Sequence, residues 1–252
     1  MSYPNNPPVP ASITVDTTAS INSGLVGFWP LTDGTGTTAT DLSTGGNDGT
    51  QSGGVTWAST AIGTAASFDG VDDEFTISHS SDYNAATTGA LSISAWVLID
   101  TATDYRVIVG KDRGGSGREW LVYYNYLESK FSFSIWSSGG TQFLVSSSST
   151  YPLSTWFHVV QVWDGSTLRG YVDGVEVASL SAAITPKTDA TADVKIGDNV
   201  DNQMDGNIQN VRIYNRAITA TEVAELYSVP WTGTDYVDLV YAYYSAAFLQ
   251  RL

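Results

Sequence analysis

Short runs of Val, Ile, Tyr, Phe and Trp recur along this chain, separated by clusters of Gly, Ser, Thr, Asn and Asp. That punctuation predicts an all-β sandwich of antiparallel strands. Leu25–Leu31 reads as a first strand and is followed by a turn-rich stretch, Thr32–Gly54. In Leu91–Ile99, Leu91, Ile93, Ala95 and Val97 share one face, the period of two expected of a strand. Further strands are expected at Ala66–Phe68, Glu74–Ile77, Arg106–Val109, Glu119–Tyr124 and Lys130–Trp136. The runs Trp156–Trp163 and Leu168–Val172 each meet an Asp-Gly turn, at Asp164-Gly165 and Asp173-Gly174, which predicts a β-meander. Asp193–Gly197 and Gly206–Tyr214 complete the body. The period changes once. Thr219 and Glu222 have the spacing of a capping box, Val223, Leu226 and Tyr227 share a helical face, and Pro230 stops the turn. This one helix, near Thr219–Tyr227, is expected to pack on the sandwich edge.

The two ends depart from that pattern. Pro4, Pro7, Pro8 and Pro10 favour an extended arm over residues 1–20. The start of the chain has neither a basic segment nor an apolar one, so no secretory signal is expected. Residues 21–229 form the expected body. Residues 230–252 are dense in aromatics, and Tyr236, Tyr241, Tyr243, Tyr244, Phe248 and Leu249 are expected to dock on the sandwich or on another subunit.

Composition narrows the partners. Of 252 residues, 42% are hydrophobic and 12% aromatic, enough for a sizeable core. No apolar run reaches the roughly 20 residues a bilayer crossing needs, so no membrane is expected. Lys and Arg number 11 against 26 Asp and Glu, a net charge of -15 that repels nucleic acid. With no Cys, disulfides and thiolate chemistry are excluded.

Four segments resemble the laminin-G-like domains of the concanavalin A-like lectin/glucanase superfamily. They are the Phe-Asp-Gly-Val-Asp-Asp run at 68–73, Trp156–Val160, Asp164–Gly174 and Gly206–Ile218. They occur in the family's order and cover roughly Leu25–Tyr227. The resemblance implies a two-sheet antiparallel jelly roll whose members bind glycans, proteins or calcium, with hydrolases a subset. The superfamily's glucanases use a Glu-x-Asp-x-x-Glu strand, and this chain has none. Glu74, Glu119 and Glu176 each lack a second carboxylate two residues away on a strand, and His158 reads as a hydrogen-bonded core histidine. We therefore expect no catalytic residue and no enzyme.

The resemblance implies a Ca2+ site using Asp69, with Asp72 beside it. The family's second acidic position falls at Gln209, followed by Asn210, so one charge is missing. The open alternative is that Asp69 and Asp72 hydrogen-bond their own turn. Asp198–Asp205 offers further oxygens or an ordinary polar loop. Glycan stacking is expected of Trp120, Tyr124, Tyr126 and Trp136 on one aromatic hairpin. The functional expectation is a non-enzymatic bacteriophage virion component, a capsid decoration or adhesin subunit. It would be exposed on the virion, homo-oligomeric, in contact with other virion or surface subunits, and able to bind glycans. The alternative is an extracellular, secreted bacterial carbohydrate-binding module or a glycoside hydrolase-associated lectin domain.

Overall fold

β-branched and aromatic residues at alternate positions leave the chain little choice but to pair strands and bury one face of each. The computed structural model describes residues 20–113, 117–198 and 202–228. The expected arm, up to residue 19, and the expected docking tail with Tyr236, Tyr241, Tyr243, Tyr244, Phe248 and Leu249 lie outside the described residues. In chain order the strands open with β1 (Leu25–Trp29), β2 (Thr38–Ala39), β3 (Gly49–Ser52), β4 (Thr56–Thr60), β5 (Gly63–Asp69) and β6 (Glu74–Ile77). A four-residue helix, α1 (Ala85–Thr88), precedes β7 (Leu91–Ile99), β8 (Arg106–Lys111), β9 (Trp120–Asn125), β10 (Lys130–Trp136) and β11 (Gln142–Ser146). Then follow β12 (Trp156–Trp163), β13 (Thr167–Val172), β14 (Val175–Ser181), β15 (Val194–Ile196), β16 (Asp205–Tyr214) and α2 (Ala220–Ser228).

These strands form two antiparallel sheets of eight, a jelly-roll sandwich. The first runs β14-β13-β12-β7-β16-β5-β4, with β1 also on β16, and the second runs β11-β10-β9-β8-β15-β6-β3-β2. β7 and β12 pair without a break from Trp156 opposite Leu98 to Trp163 opposite Leu91. β16 changes neighbours part-way: Asp205–Ile208 pair with β5, and Val211–Tyr214 with β1. The change falls at a bulge where Asn210 is left-handed (φ 62) and donates its backbone N–H to Pro30 O.

Ile93, Ala95, Val97 and Ile99 of β7 face the second sheet, joining Val109, Trp120, Val122, Phe131 and Phe133 in one core. Two contacts hold the sheets in register. Gln161 of β12 accepts from Ser134 N (3.0 Å) and returns a bond to Ser134 O (3.2 Å) on β10. Gly170 of β13 sits where a Cβ would lie 2.2 Å from the Phe133 ring, so only glycine lets that ring in.

The helix forms where the capping box places it. Glu222 N–H donates to Thr219 Oγ1 (3.3 Å) and Thr219 N–H to Glu222 Oε2 (2.7 Å). Arg216 grips the same carboxylate through both terminal nitrogens (2.9 and 2.7 Å), and these bonds hold Glu222 down at about 2. The helix touches the edge strand β14, as expected, but its apolar side reaches further, over the outer face of the first sheet. Val223 and Leu226 pack over Phe28, Val160, Val162 and Tyr171 on the outer face of the first sheet. Val160 and Val162 are outward-facing apolar residues of a central strand, and they need a cover.

Candidate functional site

The Asp-Gly turn between β5 and β6 gathers carboxylates. Asp69, Asp72 and Asp73 each offer an oxygen, all within 4.8 Å of one another. Asp69 Oδ1 accepts from Val71 N–H, and Asp73 Oδ2 accepts from Asp69 N–H, both at 2.9 Å. Asp69 therefore does bond its own turn, as the alternative reading held for it, and the second carboxylate that does so is Asp73 rather than Asp72. One buried oxygen is left over: Asp73 is 2% exposed and its Oδ1 is buried without a hydrogen-bond partner. Burial pushes the Asp73 carboxyl up, and the charges of Asp69 and Asp72 add to that. The turn is pressed against Gly53 (φ 82), where a Cβ would meet Asp72 O at 2.2 Å.

The ladder adds a fourth carboxylate. Asp205, first residue of β16, stands opposite Asp69 and accepts from the Thr101 hydroxyl. Asp100 nearby is pushed up by burial and then by Asp205. Gln209 and Asn210 are not part of this cluster. At about 3.3 Å per residue, Gln209 lies about 13 Å along the strand from Asp205. Its side chain is buried and donates to Thr64 O (2.8 Å) and Ile62 O (3.3 Å). Asn210 is buried in the bulge. The position opposite Asp69 belongs to Asp205, and the signal for it was register: the strand that begins at residue 205 pairs antiparallel with the one that ends at Asp69.

The aromatic hairpin divides between two faces. Trp120 is fully buried in the core and donates to Tyr83 O (2.9 Å), and Tyr124, also in the core, donates its hydroxyl to Tyr151 O (2.8 Å). Neither can stack on a sugar. Trp136 and Tyr126 lie on the outer side of the second sheet, but Trp136 is itself buried, 7% exposed, so of the four expected stacking residues Tyr126 alone is partly exposed. Trp136 clusters there with Val107, Leu121 and Tyr123, and Tyr105 meets Tyr123 and Tyr126 edge-on at 5.7 and 5.5 Å. The Arg118 guanidinium lies 6.0 Å from the Trp136 ring. Tyr105 and Tyr126, which the aromatic run alone did not link, are the partly exposed members of this row. A shallow cavity of about 420 Å³ elsewhere is lined by neutral hydrogen-bonding side chains, among them Asn22, Ser43, Thr44 and Asn215.

The other candidate groups are engaged. Glu119 and Lys111 form a buried pair (2.6 Å), with Asp189 N–H on the same Glu119 oxygen (2.6 Å). Burial nonetheless pushes Glu119 up. His158 Nε2 lies 2.8 Å from Ser94 Oγ, and the ring packs on Trp96 at 5.3 Å. Its Nδ1 has no partner, so no carboxylate orients the ring as a triad would require. Burial, then Arg212, drives it down to about 3.

Comparison with known proteins agrees with this architecture. A family profile, that of the concanavalin A-like lectin/glucanases superfamily, matches residues 68–224. No curated protein sequence matches significantly. Among solved structures, domain 4 of AbnA, a GH43 extracellular arabinanase from Geobacillus stearothermophilus in complex with arabinotriose, is 21% identical with a TM-score of 0.63. The match covers 80% of this chain and 97% of that domain. The receptor binding domain of botulinum neurotoxin C/D mosaic serotype is 13% identical (TM-score 0.63), covering 81% of this chain and 51% of that one. Trypanosoma rangeli sialidase is 17% identical (TM-score 0.61), covering 81% of this chain and 33% of the enzyme. At these identities the likeness is one of fold.

Proposed function

The chain belongs to the concanavalin A-like lectin/glucanases superfamily, and from that premise we propose that it is a non-catalytic glycan-binding module. The carrying observation is the partly exposed pair Tyr105 and Tyr126 on the outer side of the second sheet, with Tyr105 packed on the cluster of the buried Tyr123 and Trp136. Aromatic rings on a rigid sheet offer sugar C–H faces an apolar platform at small entropic cost. The half-buried Ser146 hydroxyl, 2.9 Å from that of the buried Ser132 in the same sheet, supplies a polar group. The likeness to an arabinanase domain solved with arabinotriose supports the class of ligand. The carboxylates of this hairpin are committed to cations, Glu119 at its base to Lys111 and Glu128 in its turn to Lys130, which supports the non-catalytic reading.

Asp69, Asp72 and Asp73 fit a calcium ion, because hard cations take clustered carboxylate oxygens and Asp73 Oδ1 is buried without another partner. Bound there, the ion would neutralise the turn and brace the end of the sandwich. A glycan array run in Ca2+ and in EDTA tests both parts. Binding should weaken about 3- to 10-fold in Tyr126→Ala. Ca2+ should raise the melting temperature of the native chain but not of Asp73→Asn, which keeps an acceptor for Asp69 N–H and removes a charge. No glycan bound in either condition would sink the module reading. A melting temperature indifferent to Ca2+ would sink the ion.

In the same proposal the module is a decoration or adhesin subunit on the outside of a bacteriophage particle. Its support is the net charge of -15, which keeps such a surface off packaged nucleic acid. Mass spectrometry of purified virions should find the chain, and its absence from them would overturn this placement.

A further inference from the structure

The outer face of the first sheet is only half covered by α2. Tyr227, at the end of that helix and 40% exposed, stacks on Trp96 at 5.7 Å with the planes 17° apart. Beyond Trp96 the face continues across β16. Gln209 stands opposite Trp96, Asn207 opposite Leu98, and Arg212 between Ser94 of β7 and Phe28 of β1. Ile208, Val211 and Ile213 point into the core, so Asn207, Gln209 and Arg212 point outward. The Arg212 guanidinium rests 4.2 Å from the Phe28 ring and makes no ion pair among the described residues.

Four atoms on this half are buried without a hydrogen-bond partner: Trp96 Nε1, Arg212 Nη1, Asn207 Oδ1 and Gln209 Oε1. Two are donors and two are acceptors, a mixture that an apolar cover would leave unsatisfied at a cost. An extended main chain offers carbonyls and N–H groups in alternation. The cation asks in addition for a carboxylate.

We propose that this half-face is the seat of residues 229–252 of the same chain, with Arg212 paired to Asp235 or Asp238. The segment continues from Ser228, one residue past the Tyr227–Trp96 stack, so it starts at the border of the half that α2 does not reach. From Tyr227, the eight residues to Asp235 reach up to about 26 Å, several times the spacing of the adjacent strands β7 and β16. Trp231 and Tyr236 fall in the same stretch and bring apolar ring surface with the carboxylates. Residues 1–19 hold a single acidic residue, Asp16, and are far poorer in aromatics.

Hydrogen–deuterium exchange on the full chain tests this. Amides within 229–252 should exchange about tenfold or more slower than an unstructured peptide, at a rate unchanged by dilution. Arg212→Gln and the pair Asp235→Asn with Asp238→Asn should each remove most of that protection, and combining them should remove little more. If Arg212→Gln does not fold, the Asp variants carry the test, since they alter nothing in the described body. Exchange at unstructured rates in the native chain would overturn the proposal. Protection that vanishes on dilution would overturn it in favour of a second copy. Protection indifferent to both sets of substitutions would overturn the Arg212 pairing.

Discussion

At the scale of single residues, buried titratable groups dominate. His158 is fully buried, bonded to Ser94 and held neutral, with its pKa lowered from 6.5 to about 3. A base whose folded pKa is depressed binds fewer protons folded than unfolded between those two values, so stability there rises with pH. The contribution is complete above pH 6.5 and is lost as pH falls towards 3. Urea denaturation between pH 6.5 and 5, above the range of most carboxylates, should show a loss approaching about 1.4 kcal/mol per pH unit. His158→Gln should flatten the profile, and a native chain already flat across that window would refute the reading. The burial of His158 was legible from its alternation with Trp156 and Val160. Its bond to Ser94, 64 residues away, was not, because alternation fixes a face and not the neighbour across it.

At the scale of elements, strands and the helix followed from local chemistry, and the contacts between them did not. The capping box at Thr219 and Glu222 reads directly in the sequence, since all its atoms lie within one turn. Which surface the helix would cover depended on the outward face of β12, which is apolar at Val160 and Val162. β2, β3 and β4, in and just after a stretch read as turns, are rich in Thr, Ser and Gly. They are strands because the sheets supply hydrogen-bonding neighbours, β5 for β4, β6 and β2 for β3, and β3 for β2, not because of propensity. The contact of β13 with β10 yields a sharp expectation. Gly170→Ala would drive a methyl into the Phe133 ring and should cost about 1–3 kcal/mol, read as a lower urea midpoint. Phe133→Leu in the same chain should recover part of it. An unchanged midpoint for Gly170→Ala would show that the sheets can part there freely.

At the scale of the whole molecule, closure joins distant parts of the chain. β1 pairs with β16, placing Leu25 opposite Tyr214, and β5 meets the same strand at Asp205. Such non-local ladders bring carboxylates from separate segments to one end of a chain already at -15. That concentrates negative potential where a cation would be most useful.

The sequence by itself determined that this chain is a β sandwich, because period-2 patterning, Asp-Gly turns and a capping box are local and each specifies its own geometry; the lectin-like kind was carried by the resemblance of its four motif segments. It also placed Asp69 and Asp72 side by side, since a turn three residues long cannot separate them. Tertiary structure alone decided the rest. It put Asp205 rather than Gln209 across from Asp69, sent Trp120 and Tyr124 inward while leaving Tyr126 and Trp136 outside, and left Arg212 without an acidic partner among the described residues. Register and sheet order are settled by which faces can be buried together, and that depends on every strand at once.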